Sequence, residues 1–169
     1  MTRDREIPKE EVESYLERLE SDTESGGYHL NPDREFVESL ARGLIANEVR
    51  YGYGACPCRL ASGDRAADLD IICPCDYRDP DLGEWGTCYC ALYVSEDVLK
   101  GTREVGPVPE RRPLEGERTG RTTTGEYEGA ALSHPVWRCS VCGYLCARDE
   151  PPDRCPICKV SKDRFRRFI

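Results

Sequence analysis

The stretch of residues 54–90, GACPCRLASGDRAADLDIICPCDYRDPDLGEWGTCYC, contains six cysteines in three pairs, and a single residue separates the two thiols of each pair. The pairs are Cys56/Cys58, Cys73/Cys75 and Cys88/Cys90. Two cysteines this close in sequence cannot easily bond to each other, because the ring would be small and strained. We therefore expect the three pairs to converge on a common centre. Four thiolates could hold a four-iron, four-sulfur cluster, and the two that remain could form a disulfide.

The composition of the 169-residue chain favours a metal-binding or redox protein. It has eleven cysteines, and its first residues lack the basic start and apolar run of a secretion signal. A cysteine-rich chain of this kind is typically metal-binding or redox-active rather than a disulfide scaffold, so we expect a cytoplasmic location. The sequence contains no run of about 18 apolar residues, so we expect no membrane span. The net charge of −8 argues against a nucleic-acid groove.

Apolar periodicity predicts two helices before the first cysteine pair. Residues 8–21 place apolar side chains at helical spacing. Asn31 followed by Pro32 predicts the start of a second helix, which Gly52 ends. After the third pair, residues 91–98 (ALYVSEDV) fit either a strand or a helix.

The composition along the chain predicts two folded units and a linker. Residues 1–103 are expected to form one folded unit built around the six cysteines. Residues 104–135 are rich in Pro, Gly, Thr and charge and lack an apolar period, so they are expected to be a flexible linker. Residues 136–169 are expected to form a second, small unit.

Two C-x-x-C motifs in the last unit predict a metal site. Each motif lets two sulfurs of a tight turn point at one ion, and two motifs complete a tetrahedral site. The predicted ligands are Cys139, Cys142, Cys155 and Cys158. The segments WRCSVCGY and PPDRCPICKVSKDRF resemble rubredoxin, in the short form found at the end of rubrerythrins. The resemblance implies a small, irregular β domain that holds a mononuclear iron, with zinc as the alternative. Cys146 lies outside the two motifs.

The six-cysteine region resembles the catalytic subunit of ferredoxin-thioredoxin reductase. That family has Cys-Pro-Cys, a spacer, a second Cys-Pro-Cys, a spacer and Cys-His-Cys, and this chain has CPC, CPC and CYC in the same order. The resemblance covers about residues 8–100 and implies the compact, mainly α iron–sulfur fold of that catalytic subunit. The spacers differ in length from the plant-type pattern, with 14 residues between the first two pairs and 12 between the last two.

The resemblance also implies a role for each cysteine. The implied cluster ligands are Cys56, Cys73, Cys75 and Cys88. The redox-active disulfide would join Cys58, the exposed nucleophile, to Cys90, which would lie against the cluster. Tyr89 stands where the family has histidine, so it is counted with the predicted catalytic residues.

The implied activity is a ferredoxin-dependent disulfide reductase. Ferredoxin would donate single electrons, and a thioredoxin-like or other protein disulfide would be reduced in two one-electron steps through a mixed disulfide. An electron carrier with a cluster and a mononuclear iron but no disulfide chemistry is the alternative, and a zinc-based interaction scaffold is a third reading. No sequence feature indicates the oligomeric state.

Overall fold

Two packed helices provide most of the core of the N-terminal domain. The computed structural model describes residues 7–114 and 132–169. Helix α1 spans Lys9–Gly26 and helix α2 spans Arg34–Tyr51. Their apolar faces meet in a core that also receives three cysteines. The buried members of that core are Val12, Leu16, Val37, Leu40, Ala41, Leu44, Ile45, Cys56, Cys88, Cys90, Leu92 and Tyr93. No helix in either described range is long and apolar enough to cross a membrane.

The second helix begins two residues later than the sequence predicts, so the expected cap at Asn31 is wrong. The cap is Asp33, whose side chain accepts a hydrogen bond from the Phe36 N–H at 3.1 Å. Asn31 instead accepts from the Asp33 N–H at 2.9 Å and donates to the Ala91 carbonyl at 3.0 Å. It therefore ties the start of α2 to the third cysteine pair.

Short elements connect the cysteine pairs. Strand β1 (His29–Leu30) pairs with strand β2 (Tyr93–Val94), and α3 (Arg78–Trp85) lies between the second and third pairs. The segment 91–98, for which the sequence allows either a strand or a helix, contributes to both: strand β2 is followed by helix α4, Glu96–Leu99. A single 3₁₀ turn, Leu69–Ile71, precedes the second pair.

Residues 110–112, here called the strap, contact the N-terminal domain although the sequence places them in the expected linker. Each strap residue forms an ion pair with a charged side chain of that domain. The pairs are Glu110 with Arg59, Arg111 with Asp81, and Arg112 with Asp68. The domain partners are nearly inaccessible, with side-chain exposures of 1%, 0% and 0%. Residues 115–131 of the expected linker lie outside the described residues, so the domain boundaries stay a prediction.

The C-terminal domain is a small antiparallel sheet, as predicted. Strands β3 (Val136–Cys139), β4 (Leu145–Ala147) and β5 (Phe165–Arg167) form the order β4–β3–β5. A 3₁₀ turn, Lys162–Arg164, leads into β5.

A buried arginine joins the two domains. Arg164 donates from Nη1 to the Ile72 carbonyl at 3.1 Å and from Nη2 to the Pro74 carbonyl at 3.4 Å, and it forms an ion pair with Asp76. These acceptors flank Cys73. The C-terminal domain therefore lies against the second cysteine pair.

Candidate active site and metal centre

Backbone hydrogen bonds bring the first two cysteine pairs side by side. The Cys56 N–H donates to the Ile71 carbonyl at 2.8 Å, and the Cys73 N–H donates to the Gly54 carbonyl at 2.9 Å. The two segments thus run antiparallel for a few residues. Cysteines 17 positions apart in sequence become neighbours in this way.

The third pair lies in a tight turn before β2. The Ala91 N–H donates to the Cys88 carbonyl at 2.7 Å, and Ala91 has a positive φ of 56°. The Tyr93 N–H then donates to the Cys88 sulfur at 3.3 Å. A backbone donor directed at a sulfur favours the thiolate form that a metal ligand needs.

All six predicted site cysteines meet in one region of the N-terminal domain. The Cys90 sulfur lies 3.7 Å from the Cys88 sulfur, and the thiols of Cys56 and Cys58 are close enough to shift its pKa. The middle pair interacts electrostatically with Cys56 and Cys88. The first and third pairs are therefore neighbours, and the second pair lies beside them.

Cys58 differs from the other five in its exposure. It is exposed, whereas the others are buried or half-buried. Hydrogen bonds with Cys56 and then Cys90 lower the pKa of Cys58 to about 3. The matching hydrogen bonds with Cys56, Cys58 and Cys88, together with burial, raise the pKa of Cys90 well above its ordinary value. The geometry thus gives an accessible sulfur of thiolate character next to a buried thiol.

Arg59 links the first pair to the second and third. Its Nη1 donates to the Cys75 sulfur at 3.3 Å. Its guanidinium carbon lies 4.3 Å from the ring centroid of Tyr89 and 4.9 Å from that of Tyr77, within cation–π range. Both carboxylate oxygens of Glu110 accept from its Nε at 3.0 Å. The half-buried Tyr89 is therefore placed on a buried cation.

A second buried arginine, Arg78, lies on the other flank. Its guanidinium carbon is 3.5 Å from the ring centroid of Tyr28 and 5.1 Å from that of Tyr93, and its Nε donates to Asp79 at 2.8 Å. It interacts favourably with the thiolate form of Cys73. Positive charge thus lies on two sides of the cysteine group.

The residues present fit an iron–sulfur cluster. Such clusters are held by cysteine thiolates and accept hydrogen bonds at their sulfurs. Arg59 already donates from Nη1 to the Cys75 sulfur, and Arg78, which interacts electrostatically with Cys73, keeps a buried Nη2 without a hydrogen-bond partner among the described residues. Buried donors of this kind need an acceptor, and a cluster would supply sulfur acceptors. Which four cysteines bind it stays a prediction.

Four of the five cysteines of the C-terminal domain lie close enough together to hold a metal ion. The sulfurs of Cys139, Cys142, Cys155 and Cys158 all lie within 4.8 Å of one another. Two of the sulfur–sulfur distances, Cys139 to Cys158 and Cys142 to Cys155, are 3.6 Å. Four convergent thiols suit a tetrahedral iron or zinc ion. Cys146 packs nearby but does not belong to the four.

The two centres face a shared space. A cavity of about 640 Å³ between the domains is lined by Cys73 of the second pair and by Cys158 of the C-terminal site. Tyr28 lines the same cavity and packs against the apolar cores of both domains. One ligand of each predicted centre therefore borders the interface.

Sequence reasoning missed the arginines that surround the cysteines. For Arg59, a signal was present, because it directly follows Cys58. Arg78 and Arg164 carry no comparable signal, since only the tertiary structure brings them to the second pair. The strap was missed because its charged sequence, flanked by Pro109 and Pro113, is typical of a linker.

Comparisons with known proteins agree with this geometry. The family model "Ferredoxin thioredoxin reductase catalytic beta chain" matches residues 5–111, and "Rubrerythrin, rubredoxin-like domain" matches residues 137–166. A search of the curated proteins found no match. The first match covers more than half of the 169 residues and reaches into the strap. It confirms the resemblance and the fold class that the sequence predicts. The chain belongs to the ferredoxin thioredoxin reductase catalytic beta chain family and carries a rubredoxin-like domain at its C-terminal end.

Proposed function

We propose that this oxidoreductase takes electrons from a ferredoxin and reduces a disulfide of a thioredoxin-like or other protein. The observation that carries the proposal is the contrast within the six-cysteine group: Cys58 is exposed, and its neighbour Cys90 is buried. A target protein can reach the first sulfur and not the second. This is the asymmetry that exchange through a mixed disulfide requires.

The reaction uses the two sulfurs in turn. The Cys58 thiolate attacks one sulfur of the target disulfide, so that a Cys58–target bond forms and the second target sulfur leaves as a thiolate. Cys90 then attacks the Cys58 sulfur, which releases the target as a dithiol and joins Cys58 to Cys90. Two electrons and two protons reopen that disulfide for the next turnover.

The remaining four cysteines would hold a four-iron, four-sulfur cluster. These proposed ligands are Cys56, Cys73, Cys75 and Cys88. The bound cluster would supply the electrons one at a time. The 3.7 Å contact between the sulfurs of Cys88 and Cys90 supports this division, because it places a proposed ligand against the buried half of the proposed disulfide.

The four cysteines of the rubredoxin-like site would hold a single iron, which would give electrons a point of entry, whereas a zinc ion there would be redox-inactive. The shared cavity bordered by Cys73 and Cys158 supports this route. Charge supports it as well, since residues 137–169 carry eight basic and four acidic side chains, whereas the whole chain has a net charge of −8. A basic surface can steer an acidic donor such as ferredoxin toward this domain.

Three cysteine-to-serine variants test the proposal. With reduced ferredoxin as donor and oxidised thioredoxin as probe, Cys58→Ser should abolish turnover and keep the iron of the core. Cys90→Ser should accumulate a mixed disulfide through Cys58, visible as a reducible adduct on a gel. Cys146→Ser is the matched control, because this half-buried cysteine lies outside both groups, and it should behave as wild type.

Two results would contradict the proposal. Loss of core iron in Cys58→Ser would show that Cys58 is a ligand. Full turnover in the same variant would show that the nucleophile lies elsewhere.

Iron and sulfide analysis of the wild type separates the alternatives: about four irons in the core and one in the tail exclude the zinc scaffold. A core that holds iron but never forms a disulfide supports the electron carrier.

A further inference from the structure

We propose that Arg59 is a positioning residue that sets the reduction potential of the cluster. Its buried guanidinium, held by Tyr77, Tyr89 and Glu110, places a positive charge beside the sulfur of the proposed ligand Cys75. The inference rests on the cluster of the proposed function and does not depend on its disulfide chemistry. It also assigns a task to Tyr89, which is to hold this cation.

The charge of Arg59 acts at short range and with little screening. Its side chain is 1% exposed, and its Nη1 lies 3.3 Å from the Cys75 sulfur. Buried charges are screened much less than exposed ones. A fixed cation favours the member of a redox couple that has gained an electron. Hydrogen bonds to ligand sulfurs are among the features that set cluster potentials, and this one adds to the effect of the charge.

The guanidinium cannot move away without losing several contacts. Two aromatic rings lie within 5 Å of its central carbon, at 4.3 Å and 4.9 Å. Glu110 accepts from the Nε edge, and the Nη1 edge meets the sulfur. Only a planar group with several donors can make all these contacts at once, so lysine is not equivalent.

The strap fixes the carboxylate that completes this arrangement. The next two strap residues, Arg111 and Arg112, pair with the inaccessible carboxylates of Asp81 and Asp68. Glu110 is therefore anchored from its C-terminal side. Its negative charge partly offsets that of Arg59, so the two residues should shift the potential in opposite directions.

Midpoint potentials of the cluster in the full-length, iron-loaded protein test this inference. Arg59→Gln should disfavour reduction about tenfold, a shift of about 59 mV to lower potential for one electron. Arg59→Lys should shift in the same direction by less. Glu110→Gln should shift to higher potential, because the guanidinium loses its neutralising partner. Arg34→Gln is the matched control, since it removes the same charge from an exposed surface pair, and it should leave the potential unchanged.

Potential shifts of opposite sign in Arg59→Gln and Glu110→Gln distinguish an electrostatic role of Arg59 from a structural one. A merely structural Arg59 would give shifts of the same sign in Arg59→Gln and Glu110→Gln, or no shift in either, and both results contradict the proposal. If Arg59→Gln does not retain iron, Arg59→Lys takes its place, and a potential equal to wild type contradicts the proposal. A wild-type core without four irons would instead overturn the proposed cluster itself, so the two failures are distinguishable.

Discussion

Replacing Arg112 with alanine is expected to destabilise the protein by about 3 kcal/mol. The Arg112 side chain is 6% exposed, and its guanidinium lies 3.0 Å from both Asp68 and Asp70. Removing one partner of a buried ion pair costs about 3–5 kcal/mol, because the other charge is left uncompensated. The lower end applies, since the Asp68 carboxylate keeps hydrogen bonds from the Tyr53 hydroxyl at 2.8 Å and the Ser62 N–H at 2.6 Å.

Thermal unfolding followed by circular dichroism measures this effect. For a chain of this size, about 3 kcal/mol corresponds to a fall in Tm of roughly 6–12 °C. Arg34→Ala is the control, because its pair with Glu20 is exposed and should contribute about 1 kcal/mol or less. Adding Asp68→Asn to Arg112→Ala should restore part of the loss, since it removes the uncompensated charge. A fall in Arg112→Ala no larger than in Arg34→Ala would refute the structural role of the strap.

Substitutions at four further residues have defined outcomes. Leu44→Ala should destabilise the helical core by about 2–5 kcal/mol in the same unfolding assay, because the side chain is fully buried. Cys139→Ser should remove the tail metal and leave the core iron, as metal analysis would show. Arg164→Ala should slow turnover with ferredoxin more than turnover with a small chemical reductant, because it loosens the domain contact beside Cys73. Tyr89→Phe should keep the cluster potential, whereas Tyr89→Ala should lower it, because only the ring is needed to hold Arg59.

The grouping of the cysteines into two sets could be predicted because it follows from local spacing in the sequence. The C-x-C and C-x-x-C motifs identify their members directly, and the structure gathers each set in one place. The helices α1 and α2 were predictable for a similar reason, since their buried residues repeat at helical spacing. The start of α2 was less predictable, because Asn31 bonds to the distant Ala91 and Asp33 caps the helix instead.

The surroundings of the site depend on contacts between residues far apart in the chain. Arg59 meets Glu110 across 51 positions, and Arg164 meets the Ile72 carbonyl across 92. No local pattern encodes such pairings. The strap is the clearest case, because a short run of charged residues is typical of a solvated linker until buried partners for it are known. The structure supplies those partners in Arg59, Asp81 and Asp68.

Disulfide mapping by mass spectrometry is the most direct test of the proposed division of the six cysteines. The oxidised, iron-loaded protein would be denatured in an alkylating agent, digested and compared with a sample first reduced by ferredoxin. The proposed function predicts one linked peptide pair, joining Cys58 to Cys90, that disappears after reduction and leaves both residues alkylated. A disulfide that joins Cys58 or Cys90 to another cysteine of the group, or no disulfide at all, would contradict it.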